Sequence, residues 1–598
     1  MADTIRTYDQ IETKYKWDLT HIFPTDDAWE AACVQLDKDA EAFAQRNGHV
    51  AEDPKGAIQT MFQLIRQAAD ISSYAFLRKE TDNGDPVAQA LAEKSESLMV
   101  RFYTAIAFLK PELLSMPEEQ LTSLMAQADM KDYDVYLKDL IRSKPHQLSK
   151  AEERILAMGG EVATVAGNVY DMFTSVDMKF PDVTMPDGTT TPLTESVYSP
   201  LIRHRDRSVR KQAFHHIMET YGSFGNTFAA TYGGSVKGDQ FVARVRNFSS
   251  ALEASLFPDE IPMAVYDNLV SAIHEHLPVL QEYLELRKQV LGLDELHMYD
   301  LYCPMVEGFD MKLPYEEAYQ LVLEGLSPMG QDYVDVLKEA KENRWIDVFP
   351  VENKASGAFS MGHLHGLHPY VKLNHNDNLE DTFTIAHEMG HAMHSYYGNK
   401  HQPFPKADYS LFVAEVASTC NEAVMMRYLL KKLPEKKAQA YLLNHLLEQF
   451  RTTCFRQTMF AEFERISHQM ASDGEPLTRE ALSKAYLELN RKYYGPACHV
   501  DEVIANEWMR IPHFYRAFYV YVYATGICAA ITLSERILND GEEGVAAYKR
   551  FISAGGSVPP IEALKLAGID MSSTEPIQRA MGVFKETLAQ FRTLLTKE

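Results

Sequence analysis

The chain has 598 residues, 46% hydrophobic and 24% charged, with a formal net charge of −25. That length buries a large core and usually divides into more than one domain. So acidic a balance argues against nucleic acid, whose phosphates it would repel, and suits a soluble protein or an acidic cavity for cationic peptides.

Met1 to Tyr8 contain no apolar run of a secretory signal, so the cytoplasm is the expected location. The cysteines Cys33, Cys303, Cys420, Cys454, Cys498 and Cys528 are scattered, with no C-x-x-C, and read as neither a disulfide framework nor a thiolate metal site. Residues 1–200 show long amphipathic helical patterns, as in Val87–Leu109 and Lys150–Met172, and carry no chemical motif. They form the expected N-terminal helical region, ending in a β-hairpin over Lys179–Leu193 with Asp187-Gly188 at its turn. Residues 201–598 form the second expected region, which carries the motifs described below. Its basic run Arg203–Lys211 reads as a solvated helix face in so acidic a chain.

Residues 345–374 are the least helical stretch. Short runs such as Tyr370–Asn374 read as strands, so a small sheet is expected just before the helix described next. An extended peptide can pair with such a sheet edge by main-chain hydrogen bonds. His363, His365 and His368 have no carboxylate spaced among them, which favours substrate contact over a second metal. His363, His365 and Tyr370 are the candidates for that contact.

Asn378–Gly398 reads as a helix, with Asn378 as N-cap, Glu380 and Asp381 in the first turn, and Gly398 as a C-terminal stop. It contains His387-Glu388-Met389-Gly390-His391, an H-E-x-x-H pattern. Histidines four apart project from one helix face and can grip one zinc ion, while Glu388 lies beside the metal, able to hydrogen-bond its water. The plain alternative is a solvated face with two histidines. A catalytic zinc needs a third protein ligand and an open position. His394 lies roughly 10.5 Å further along the axis from His387, too far to reach the same ion, and is expected to pack. Leu411–Glu422 reads as a second helix, capped by Ser410, with Glu415 and Glu422 on one face. Two carboxylates on an otherwise apolar helix suit one ligand and one anchor for a ligand histidine, against the alternative that both face solvent.

Near the C-terminal end, residues 508–526 are dense in aromatics and include His513, Tyr515, Tyr519, Tyr521 and Tyr523. The membrane-like run 517–533 falls short of the about 20 apolar residues of a span, so a buried helix and no membrane contact are expected.

The motif His387–His391 together with Phe412–Ser418 resembles the thimet oligopeptidase family of zinc peptidases, closest to its oligoendopeptidase F branch. The hairpin at 179–193 and the stretch Arg205–Phe228 resemble the same family. The resemblance implies a mainly α, two-lobed zincin-type body. It further implies a small sheet beside the zinc helix and an internal cleft that admits flexible oligopeptides. It assigns His387, His391 and Glu415 as ligands of one zinc ion per chain, Glu388 as general base, and Glu422 as a further carboxylate behind the ligands. It also implies a C-terminal histidine and tyrosine segment that binds substrate and stabilises the oxyanion. Tyr521 aligns best with that role. His513 is spaced differently from the distant relatives, and Tyr515 and Tyr519 are substrate-contact candidates. The activity implied is a metalloendopeptidase. The rivals are a zinc carboxypeptidase of related fold, for which no arginine stands out within the motif, and a non-catalytic helical peptide-binding protein. The choice between monomer and homodimer is left open.

Overall fold

The computed structural model describes residues 6–306, 309 and 311–596. Contacts group the chain into two compact units. The first comprises the described parts of 1–147, 310–431 and 530–570, and the second those of 148–309, 432–529 and 571–598. These limits differ from a division at residue 200: residues 310–431, with the histidine motif, group with the N-terminal helices.

The first unit begins with three long helices, Asp26–Ala44, Pro54–Thr81 and Pro86–Ile106. Each starts on a side-chain cap, from Thr25, Asp53 and Asp85, and two carry proline in the first turn, where its missing N–H is not needed. Their apolar stripes meet in a core that includes Trp29, Leu36, Ile58 and Phe102, and the Trp29 indole donates to the Ile71 carbonyl at 2.9 Å.

A three-stranded sheet follows in the same unit. Tyr370–Lys372 is its middle strand, parallel to Ile346–Asp347 and antiparallel to Phe359–Met361, with Val371 opposite both Ile346 and Ser360. The sheet packs against the helix Leu379–His401, as the sequence predicts. Tyr370, expected at the substrate, is instead core. It is fully buried, packs edge-on against Trp17, and donates its hydroxyl to the Asp18 carbonyl at 2.8 Å. A middle strand has no free edge, and both its faces here are covered.

Asn378 caps the motif helix by accepting the Asp381 N–H at 2.8 Å, a contact of about 1 kcal/mol. The helix does not stop at Gly398 but runs on to His401. Gly398 is there for packing: a Cβ on it would sit 2.9 Å from the Ala407 carbonyl oxygen. The next long helix, Leu411–Lys432, starts with the Phe412 N–H donating to Ser410 Oγ at 3.1 Å.

In the second unit the expected hairpin pairs Val183–Thr184 with Thr190–Thr191, and Gly188 supplies the left-handed turn at φ +84°. Arg456–Ser472 is one of its long helices. The apolar run at 517–533 enters a helix only at Tyr521, and among the described residues no helix is long and apolar enough to cross a membrane. All six cysteines are buried, and none is in a disulfide.

Candidate metal centre

Gly390 lets the motif helix approach the helix Leu411–Lys432 closely. A Cβ there would lie 2.5 Å from Ser418 Cα and 2.8 Å from the Ala417 carbonyl oxygen, so only hydrogen fits. Asn421 ties the pair by donating to the Ala386 carbonyl at 3.0 Å, and itself accepts the Tyr333 hydroxyl at 3.0 Å. Both contacts are fully buried, where an unmet polar group is costly.

That approach brings His387, His391 and Glu415 together. The two Nε2 atoms are 3.2 Å apart, and Glu415 Oε2 lies 3.3 Å from one and 3.4 Å from the other. A tetrahedral ion with bonds of about 2.0–2.2 Å has donor–donor edges of roughly 3.3–3.6 Å. The triangle therefore matches three ligands of one ion. Glu415 and Glu422 do sit on one helix face. Glu422 reaches behind the triangle, its Oε1 2.6 Å from His387 Nδ1. That contact holds the N–H on Nδ1 and leaves the Nε2 lone pair toward the triangle.

The electrostatics agree. Burial works against a charge on the His387 ring, but Glu415 and Glu422 overcome it and push its pKa up to about 10. Burial likewise opposes a charged Glu415, and the two imidazoles outweigh it, holding the carboxyl well below its usual range. Positive charge between these groups is strongly stabilised, as a divalent cation requires. Glu388 is 7% exposed, and burial raises its carboxyl pKa against the opposing pull of both histidines. A carboxylate raised in this way is suited to taking up a proton.

His394 lies elsewhere. It is 1% exposed, stacks flat on Tyr409 at 3.6 Å, and burial pushes its pKa down to about 3, so it packs as a neutral ring. The histidines before the motif do not gather. His363 bonds Ser73 at 2.9 Å, His365 Nε2 donates to the Gln402 carbonyl at 2.9 Å, and His368 stacks on Trp345 at 4.7 Å.

Sequence reasoning missed Gly390, Ser418 and Asn421. Ser418 Oγ donates toward Glu415 Oε2 at 3.2 Å and so helps to aim it. The signal available was the run of small and polar residues facing each other on the two helices.

In the second unit the aromatic segment divides. His513 Nε2 is 3.5 Å from the Tyr523 hydroxyl, Tyr519 meets Tyr523 edge-on at 5.4 Å, and Arg516 lies 4.1 Å over Tyr519. These residues are part-exposed or exposed together. Tyr521, first choice for the oxyanion, is 3% exposed and packs on Tyr266 at 5.1 Å. Tyr515 bonds Thr231 at 2.8 Å and packs at a tilt on Tyr170 at 4.5 Å, a packing role more than an open contact surface.

Comparison with known proteins agrees with the geometry. The family model described as peptidase family M3 matches residues 201–583, and one described as oligopeptidase F matches residues 112–180. The chain is 42% identical to oligopeptidase PepF of Bacillus subtilis (strain 168), over all of this chain and 89% of that one. It is 37% identical to group B oligopeptidase PepB of Streptococcus agalactiae, over 98% of each. Among solved structures, the oligoendopeptidase F of Enterococcus faecium superposes with a TM-score of 0.74 at 35% identity, covering 96% of this chain and 100% of that one. A peptidase of Chlamydophila abortus superposes at 0.91 and 32% identity, over 99% and 100%. With a matching donor triangle, a buried carboxylate beside it and similarity along the whole chain, this protein belongs to peptidase family M3, as a metalloendopeptidase of its oligoendopeptidase F branch.

Proposed function

We propose that the protein cuts short, unstructured oligopeptides internally, with one zinc ion held by His387, His391 and Glu415. The observation that carries this reading is the donor triangle, with edges of 3.2, 3.3 and 3.4 Å and Glu388 buried at its side. Nitrogen and oxygen donors in that triangle suit zinc, which when bound polarises a peptide carbonyl and makes water a stronger nucleophile. Glu388 accepts the proton of the attacking water and hands it to the leaving nitrogen. Glu422 keeps His387 in the tautomer that turns its lone pair inward. His513 and a tyrosine of the 519–523 segment hold the substrate and donate to the oxyanion.

Tyr521 fits that last role by sequence alignment. Tyr523 is a second reading, favoured by its hydroxyl lying 3.5 Å from His513 while Tyr521 packs inward. Oligopeptides are the substrate class named for the Bacillus and Streptococcus relatives. A cytoplasmic location is supported by six buried cysteines in no disulfide.

The test uses a fluorogenic peptide blocked at both ends. The parent protein is expected to cut it, which excludes a carboxypeptidase. Glu388→Gln is expected to retain its metal and lose roughly 10²–10⁴-fold in kcat, because the amide keeps the shape but cannot accept the proton. Near-parental turnover by metal-loaded Glu388→Gln refutes the general base.

A further inference from the structure

Just before the helix that opens at Tyr521, the backbone bends through a left-handed conformation at Phe518, with φ +58°. A residue with a Cβ adopts that shape only where its surroundings enforce it, and such residues gather at functional sites. Two things enforce it here. The Phe518 N–H donates to Glu464 Oε1 at 2.9 Å, and the Phe518 ring packs on His468 at 4.5 Å. His468 is fixed in turn by the Glu464 carbonyl at 2.8 Å and by Asp239 at 3.2 Å. The Phe518 ring also meets Tyr266 edge-on at 6.0 Å, and a cavity of about 290 Å³ lies against Phe518 and His468.

Glu464 is an expensive residue to keep there. It is 0% exposed, its second oxygen has no hydrogen-bond partner among the described residues, and burial followed by nearby Asp239 raises its pKa. An apolar side chain of similar size would avoid that burial cost but leave the buried Phe518 N–H without its acceptor.

We propose that Glu464 is a positioning residue: by holding the Phe518 N–H it fixes the left-handed bend, and so sets the direction in which Tyr519, Tyr521 and Tyr523 leave it. This rests on the reading that the tyrosine segment touches substrate.

The experiment measures kcat and KM on the doubly blocked peptide, with metal content and unfolding midpoint alongside. Glu464→Leu removes the acceptor at similar volume, and kcat per metal-loaded molecule is expected to fall about 10–100-fold with KM little changed. Glu464→Gln keeps an acceptor oxygen and is expected within about threefold of the parent. Adding Phe518→Gly to Glu464→Leu is expected to restore most of the kcat, because glycine takes the left-handed conformation unaided. Should Glu464→Leu not fold, Glu464→Asp withdraws the acceptor more gently, with the same loss and the same rescue expected.

A folded leucine variant with parental kcat overturns the proposal. So does a loss that tracks the unfolding midpoint and is not rescued by glycine. Tyr519→Phe, Tyr521→Phe and Tyr523→Phe separate the two levels. If none lowers kcat, the substrate reading of the segment fails and the proposal with it. If one does while the Glu464 variants do not, only the positioning role is overturned.

Discussion

Among the described residues, two clusters of histidine and carboxylate offer at least three metal donors each: His387, His391 and Glu415 in the first unit, and His297, His499 and Asp501 in the second. They are alike in composition and unlike in geometry. In the first, both imidazoles present Nε2 to a single carboxylate oxygen, and the edges are nearly equal. In the second, His297 is pinned from both sides, Nδ1 to Asp501 at 2.8 Å and Nε2 to Glu295 at 3.1 Å. Both of its ring nitrogens already face carboxylate oxygens, and the His499 side chain is half exposed. Donor count does not make a metal site. The difference is that one cluster aims its donors at a shared point, and the other closes on itself to tie residues 295–300 to 498–501.

The largest effect that tests this contrast comes from Glu415→Ala. With one edge of the triangle gone, tight zinc binding and peptide hydrolysis should both be lost, as read by metal analysis and turnover. Glu422→Ala, which removes only the group behind His387, should weaken zinc by roughly 10–100-fold and leave it measurable. Survival of zinc in the first variant and its loss in the second would mean that the roles of the two carboxylates are exchanged.

Gly390→Ala probes the approach of the helices that builds the triangle. Its Cβ would lie 2.5 Å from Ser418 Cα, so the helices must part. A loss of about 1–3 kcal/mol in stability is expected, together with weaker zinc binding. Normal affinity in this variant would show that the donors find one another without that contact.

The smallest effect on zinc should come from the second cluster. His297→Ala leaves the side chain of Asp501, 11% exposed, without its imidazole. Urea unfolding should show a cost of about 1–3 kcal/mol, with zinc per chain unchanged. A second tightly held zinc in the parent that disappears with His297→Ala or His499→Ala would break the comparison.

Much of the first cluster is legible in the sequence because a helix is periodic. The spacing of His387 to His391, and of Glu415 to Glu422, fixes which side chains share a face before any folding is considered. The Asn378 cap, the hairpin turn at Asp187-Gly188 and the small sheet before the motif are local in the same sense. Gly398 is a miss of a different kind. A glycine near the end of a helical pattern reads as a stop, and here it answers to the Ala407 carbonyl pressed against it. Tyr370 is another, since a strand sequence does not say whether it lies at the edge or in the middle of a sheet.

By itself, the sequence determined the two helices, the two histidines, the carboxylate beside them and the facing pair Glu415 and Glu422, all set by spacing along one helix at a time. Only the tertiary structure decided the depth at which those helices meet, through Gly390 against Ser418. It alone also turned Tyr521 inward, gathered Tyr519 and Tyr523 at His513, and separated a site from the look-alike cluster at His297. The reason is that periodicity fixes directions within an element. Distances between elements depend on side chains far apart in the chain, such as Glu464 and Phe518, that meet only when the whole unit has packed.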